Sequence, residues 1–142
     1  MQQIYDIPQM PLHRASCLIV EDSEFDRRKM ERVVNRSHSK MQVKVAQTLQ
    51  SARGVLKRNR ISLILLDNNL PDGLGANFAL EISQDERFAD IPVIMVSDWP
   101  SPFMWEKAAS AGVIYVLSKS EFDARYVHAA LMAAGTRRGK PH

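Results

Sequence analysis

Hydrophobic and polar positions along this chain fall into two alternating kinds of segment: short apolar runs, and stretches in which apolar residues recur every three or four positions. Residues 15–20 form the first run, which ends in Glu21 and Asp22. Ser23 followed by Asp26 is a weak capping box and predicts a helix from there to about Arg36. Residues 41–45 alternate with a period of two, and Leu49, Ala52, Val55 and Leu56 then recur at helical spacing, giving a second strand and helix. Residues 61–66 are nearly all apolar, the pattern of a central parallel strand covered on both faces, and the run stops at Asp67. The proline and glycines of residues 68–75 predict a loop, followed by a helix from about Ala76 to Gln84. Residues 91–97 predict a fourth strand. Ser101 and Pro102 then supply an N-cap and a proline at the first helical position of a helix that Gly112 ends. Residues 113–118 predict a fifth strand. Phe122, Tyr126, Ala129, Ala130 and Ala133 line one face of a last helix, which Gly135 terminates.

Strict alternation of strand and helix predicts an α/β fold, an open and mostly parallel sheet with helices on both faces. Ligands of such sheets bind at the carboxyl ends of the strands. Glu21, Asp22, Asp67, Ser97 and Lys119 all fall at those ends. Three carboxylates gathered at one edge repel each other unless a cation sits among them. A hard divalent ion answers that need: Mg²⁺ takes oxygen ligands and keeps several waters, so one or two carboxylates and a backbone carbonyl from the Asn68-Asn69 turn suffice. A hydroxyl from Ser97 and a point charge from Lys119 suit the anionic oxygens of a phosphoryl group. Asp67 is then the best-placed nucleophile, able to form an acyl phosphate. Singly, such residues are more often turn, cap or solvent-facing side chains; their joint position at one edge is what points to chemistry.

Composition narrows the setting. The chain has 142 residues, 45% of them hydrophobic, which is room for one globular domain with its own core. Cys17 has no partner, so no intramolecular disulfide is possible and a reducing, cytoplasmic setting is expected. No apolar stretch approaches the roughly 20 residues that span a bilayer, and the first residues lack a basic leader followed by an apolar run. Membrane insertion is therefore not expected. Charge is sorted by location: residues 27–60 carry eleven Lys and Arg against one acid, Glu31, whereas residues 61–142 carry ten acids against seven bases. A basic flank of this kind attracts acidic partners or nucleic acid, although solvated helix faces often share the pattern. His13, His38, His128 and His142 show no metal-ligand spacing. Helix-turn-helix and zinc-finger spacings are absent, so direct DNA binding is not expected.

Four segments carry a resemblance. Leu18-Ile-Val-Glu-Asp-Ser23, Leu65-Leu-Asp-Asn-Asn-Leu-Pro-Asp-Gly-Leu-Gly75, Pro92-Val-Ile-Met-Val-Ser97 and Val116-Leu-Ser-Lys119 resemble the motifs of the receiver domain of two-component response regulators. The 30-residue interval from Asp67 to Ser97 and the 22-residue interval from Ser97 to Lys119 fit the same pattern. The resemblance implies a flavodoxin-like, five-stranded parallel doubly wound sheet in strand order 2-1-3-4-5. It also implies Mg²⁺-dependent phosphorylation of one Asp by a phosphohistidine donor, either a sensor histidine kinase or a histidine phosphotransfer protein. By that likeness Asp67 is the phospho-acceptor, Glu21, Asp22, Asp67 and the Asn69 carbonyl hold the metal, and Ser97 and Lys119 contact the phosphoryl oxygens. The domain is expected over residues 14–135, between an extension at 1–13 and a basic tail at 136–142, as a stand-alone signalling switch rather than a turnover enzyme.

The sequence also departs from the receiver pattern. Ser120 stands where receivers usually have a proline, often after a cis bond; a non-proline cis bond costs about 2.5 to 4 kcal/mol, so a trans Lys119–Ser120 bond is expected. The family's switch aromatic lies three residues before the Lys, at the position of Val116, with Tyr115 one residue earlier and so on the opposite face of the strand. Asp98 replaces a usually small residue and is expected to pair with Lys119, while Trp99 is expected to shield the acyl phosphate. Phe103, Met104 and Trp105 are consecutive, too many for one narrow buried stripe. Phe103, Trp105 and Tyr115 are therefore read as partner surface, with homodimerisation as one use. Two further readings remain open: a receiver-like binding module that no longer switches, and a phosphohydrolase. The second would want another acid/base carboxylate just after Asp67, where Asn68 and Asn69 stand.

Overall fold

The computed structural model describes residues 15–139. In chain order the elements are β1 (Ser16–Val20), α1 (Glu24–Ser37), β2 (Gln42–Ala46), α2 (Leu49–Arg58), β3 (Leu63–Leu66), β4 (Asn69–Leu70), β5 (Gly73–Leu74), α3 (Gly75–Ser83), β6 (Val93–Ser97), α4 (Pro102–Ser110), β7 (Tyr115–Ser118) and α5 (Ala124–Gly139). Five strands make one parallel sheet in the order β2-β1-β3-β6-β7. Counting those five alone, this is the expected order 2-1-3-4-5. The other two strands, β4 and β5, form a small antiparallel hairpin inside the segment read as a loop.

Side chains on alternate strand positions sort into two cores, one on each face of the sheet. Leu18, Val20, Ile64, Leu66, Met95 and Val116 pack with Leu56 of α2, Phe78 of α3 and Met104 of α4. Cys17, Ile19, Leu65, Val96 and Leu117 pack with Met30 and Val34 of α1 and Val127 and Ala130 of α5. Burial on both faces is why β1, β3 and β6 are nearly continuous apolar runs. Each fully buried Leu or Ile contributes on the order of 1.5–3 kcal/mol of transfer free energy.

Helix ends follow local chemistry. The Ser23, Thr48 and Ser101 side chains accept hydrogen bonds from the backbone N–H groups of Asp26, Ser51 and Met104, so each satisfies an otherwise orphaned donor. After α4, Gly112 takes φ +73°, the left-handed conformation glycine adopts without steric cost.

Several sequence expectations change, among them β3, which starts at Leu63 rather than 61. β6 starts at Val93 rather than 91: the Ile91 N–H is used in a turn to Phe88, and Pro92 has no N–H to give the ladder. β7 starts at Tyr115 rather than 113, because the Val113 N–H closes the end of α4 on the Ala108 carbonyl. α5 does not stop at Gly135 but runs to Gly139, so residues 136–139, read as tail, are helical. Glycine costs an interior helical position only about 1 kcal/mol relative to Ala, and it ends a helix only when it turns left-handed. The buried stripe of α5 is also rotated from expectation: Val127, Ala130 and Ala134 are buried, whereas Ala133 is exposed. The expected extension at 1–13 and the end of the tail at 140–142 lie outside the described residues.

Candidate functional site

The sheet gathers the chemistry by backbone register. The Asp67 N–H donates to the Val20 carbonyl at 3.0 Å and the Glu21 N–H to the Ala46 carbonyl at 3.0 Å, so the residues leaving β1 and β3 emerge side by side. Glu21, Asp22 and Asp67 each offer a carboxylate oxygen, and these atoms lie within 4.8 Å of one another. Glu21 and Asp67 are buried, at 1% and 5% exposure, while Asp22 faces solvent. Lys119 reaches the same place from the end of β7, and its N–H donates to the Ser97 carbonyl at 3.1 Å. Ser97 is buried at the end of β6. Asn69 is exposed at the start of the hairpin.

Burial pushes the Glu21 carboxyl up to about 7 and is opposed by the Ser23 N–H, which donates to Glu21 Oε2 at 3.0 Å. Asp67 is also pushed up by burial, against the Lys119 charge and the Asn68 N–H, which donates to its Oδ1 at 2.8 Å. Burial alone would lower the Lys119 ammonium, but the surrounding carboxylates more than offset it and hold the amine above its ordinary value. The distances rank those carboxylates. Lys119 Nζ lies 2.7 Å from Asp26 Oδ2, 3.0 Å from Glu21 Oε1, 3.7 Å from Asp98 Oδ2 and 3.8 Å from Asp67 Oδ2. Its hydrogen bond goes to Asp26. The Glu21 contact is a charge contact without hydrogen-bond alignment. Among the described residues, Glu21 Oε1 is accordingly a buried side-chain oxygen with no donor. A buried carboxyl whose oxygen has a charge contact but no aligned donor, within 4.8 Å of two more carboxylates, fits a cation held by Glu21, Asp22 and Asp67.

The loop after Asp67 is fixed by three contacts. Asn68 Oδ1 accepts from the Ala76 N–H at 2.9 Å and so caps α3, whose own N-cap position, Leu74, has no side-chain oxygen. Asp72 accepts from the Leu49 and Gln50 N–H groups at 2.8 and 3.0 Å, tying the hairpin tip to the start of α2. Gly75 passes so close to Asp67 that a Cβ there would lie 2.1 Å from the Asp67 carbonyl oxygen.

The β6–β7 end of the edge is different. Asp98 has a largely exposed side chain and stands outside Asp26 and Glu21 in the order of Lys119 contacts, so the pairing expected of it is a peripheral one. Trp99 is 88% exposed. In α4 Met104 is buried, while Phe103 and Trp105 point outward at 67% and 51% exposure. Tyr115 is half-buried and packs edge-on against Tyr126 with ring centroids 5.1 Å apart, on the α1/α5 side of the sheet. Val116, one residue on, belongs to the other face. There is no cis peptide bond among the described residues, so Lys119–Ser120 is trans.

Sequence reasoning missed Asp26 as part of this site: it was read as the arm of a capping box, whereas its side chain goes to Lys119. No sequence signal separated the two uses, because a first-turn carboxylate can serve either. Gly75 and Asp72 were read only as loop formers. The basic flank is partly neutralised, with Arg53 on Glu81 at 2.7 Å and Arg28 on Glu24 at 2.6 Å. His38 and His128, distant in sequence, stack with centroids 5.9 Å apart between the end of α1 and α5, away from the acidic edge. No helix among the described residues is long and apolar enough to cross a membrane.

Comparison with known proteins agrees with this geometry. The chain is 32% identical over 108 residues to the response regulator protein PilR of Pseudomonas aeruginosa; the match spans 76% of this chain but 23% of PilR. It superposes on the receiver domain of an HD domain-containing protein from Pseudomonas fluorescens with a TM-score of 0.79 at 18% identity, covering 90% of this chain and 94% of that one. It also superposes on the phosphorylated cyanobacterial phytochrome response regulator RcpA, with a TM-score of 0.70 at 21% identity, covering 91% and 97%. These two likenesses carry the fold. The response regulator receiver domain family matches residues 17–131, and with the acidic edge, Ser97 and Lys119 in register, the chain belongs to that family of two-component signalling domains.

Proposed function

We propose that this domain is a phosphorylation switch in which Asp67 accepts a phosphoryl group from a phosphohistidine on a sensor kinase or phosphotransfer protein. The observation that carries the reading is the buried Asp67 carboxylate, with Lys119 3.8 Å away on one side and the Glu21 and Asp22 carboxylates within 4.8 Å on another. In the transfer an Asp67 oxygen forms the new bond to phosphorus as the donor's phosphorus–nitrogen bond breaks, and the imidazole leaves with that electron pair and takes up a proton. Glu21, Asp22, Asp67 and the Asn69 carbonyl would hold Mg²⁺. When bound, the ion supplies positive charge to offset the carboxylates and the phosphoryl oxygens. Lys119 supplies a second, fixed positive charge, and the Ser97 hydroxyl is a donor for a phosphoryl oxygen. The Asn68 N–H already on Asp67 Oδ1 orients the carboxylate so that one oxygen is held and the other is free to attack. RcpA, which shares the fold, is phosphorylated in the structure it resembles, and that accords with this reading. On it the domain is a switch rather than a turnover enzyme.

A second reading, a protein-binding module that no longer switches, is favoured by one observation. Tyr115 sits on the opposite face of the sheet from Val116, so no ring occupies the position through which receivers couple the edge to their surface. One experiment separates the two: intact-protein mass after incubation with acetyl phosphate, with and without Mg²⁺, for the natural protein and Asp67→Asn. A labile, Mg²⁺-dependent gain of one phosphoryl group that Asp67→Asn lacks is the expected result. No gain, together with no response of Trp fluorescence to beryllofluoride and Mg²⁺, would favour the module.

A further inference from the structure

Resting on the phosphorylation reading above, we propose that Asp26 is a latch that holds Lys119 away from the phosphoryl position, so that phosphorylation proceeds only as Lys119 changes partner from Asp26 to the phosphoryl group. Lys119 hydrogen-bonds Asp26 at 2.7 Å, while its distance to Asp67 is 3.8 Å. An N⁺–H···O⁻ hydrogen bond spans about 2.7–2.9 Å, so at 3.8 Å the ammonium is not hydrogen-bonded to Asp67, and the added negative charge of a phosphoryl group there draws it away from Asp26. That movement lengthens the Asp26 contact. The two carboxylates thus compete for one cation. The pair is sheltered enough for the competition to matter, since the Lys119 and Asp26 side chains are only 12% and 22% exposed. At an exposed site water would screen the loss.

Asp26 is well anchored for this role. It lies in the first turn of α1, whose start Ser23 fixes by capping the Asp26 N–H itself, so the carboxylate is presented by rigid backbone. The latch also joins α1 to the segment after β7. On its outer side lies a cleft lined by Lys29, Arg32, Arg36, Met30, Ser120 and Phe122. Glu21, 3.0 Å from the Lys119 amine, is the second carboxylate whose contact such a movement alters.

The test compares Asp26→Ala, Asp26→Glu and Glu24→Gln, the last removing an exposed charge from the same helical turn that contacts Arg28 and not Lys119. Beryllofluoride with Mg²⁺, read by fluorescence titration, serves as the phosphoryl mimic. Asp26→Ala is expected to bind it roughly three- to ten-fold more tightly than the natural protein, the factor for releasing one partly buried charge contact. Asp26→Glu and Glu24→Gln are expected to bind like the natural protein. Crystal structures without the mimic give a readout independent of phosphoryl chemistry: in Asp26→Ala the Lys119 amine is expected at hydrogen-bond distance from Asp67. Unchanged or weaker binding by Asp26→Ala, a gain matched by Glu24→Gln, or a Lys119 amine that stays where it is would each overturn the latch. Failure of the natural protein to bind the mimic at all, with Asp67 unmodified by acetyl phosphate, would instead overturn the phosphorylation reading, and the latch with it.

Discussion

The two ends of the sheet's carboxyl edge are built on opposite principles. Where β1 and β3 end, almost every polar group is committed: Glu21 to the Ser23 N–H, Asp67 to the Asn68 N–H, Asn68 to α3, and Asp26 to Lys119, which reaches across from the end of β7. Where β6 and β7 end, Asp98 and Trp99 stand in solvent and Phe103 and Trp105 project from α4. The difference separates two tasks. A site that stabilises developing charge works best when its dipoles and charges are fixed in advance, whereas a surface that another protein reads must be accessible. The committed end is therefore where substitutions should cost stability, and the open end where they should not.

The largest effect is expected from Lys119→Met. Removing the cation leaves Glu21, Asp67 and Asp26 facing one another in a partly dry site, and breaking one partner out of such a cluster costs about 3 kcal/mol. Urea unfolding at neutral pH in a chelator measures it. Millimolar Mg²⁺ should restore part of the loss, because a divalent cation replaces the missing charge. A midpoint unchanged from the natural protein would show that the edge is solvated after all.

Gly75→Ala comes next. A methyl group 2.1 Å from the Asp67 carbonyl oxygen must displace backbone, and overpacking of this kind costs about 1–3 kcal/mol. The same displacement moves Asp67 itself, so the variant should lose both unfolding free energy and the rate of mass gain with acetyl phosphate. An ordinary surface glycine would lose neither.

Glu21 gives a pH signature. Its carboxyl is raised from an ordinary 4.5 to about 7 in the folded protein, so between those values the folded state holds a proton that the unfolded state has released. Its stabilising contribution is present below pH 4.5 and is lost as the pH rises through 7. In chelator, the natural protein should lose on the order of 1–3 kcal/mol across this window beyond any loss in Glu21→Gln, whose amide does not titrate. Parallel pH profiles for the two proteins would remove Glu21 as the cause.

How much of this was legible beforehand differs between the same two regions. Asp67, Glu21 and Lys119 were readable because strands end abruptly: a run of buried apolar residues that stops at a charge marks the edge, and parallel order brings those edges together. Asp26 was not readable, because helical position alone does not say whether a first-turn carboxylate folds back on its own N-terminus or across to another strand's lysine. Gly75 was opaque for a related reason, since a glycine needed for close approach looks the same in sequence as one needed for a turn. The run through Gly135 shows the converse error, a local stop signal overridden by a helix whose buried stripe at Val127, Ala130 and Ala134 holds it against the sheet. At the open end, sequence showed that Phe103, Met104 and Trp105 could not share one stripe. Which of them turned inward depended on the angle at which Ser101 and Pro102 launch α4.

The smallest effects belong to that open end. Trp99→Ala and Trp105→Ala remove large side chains that are mostly in water already, so each should change unfolding free energy by no more than about 0.5 kcal/mol. Trp99 gives the finer test, because sequence assigned it a protective role. A ring that shields an acyl phosphate must pack over it, and a ring 88% exposed has most of its surface in water. The phosphoryl half-life of Trp99→Ala is accordingly expected to equal that of the natural protein, as followed by the decay of the phosphorylated mass. A shortened half-life would mean that phosphorylation itself draws Trp99 over the site. The open end would then be a moving part of the committed one, and the division between them would hold only for the resting state.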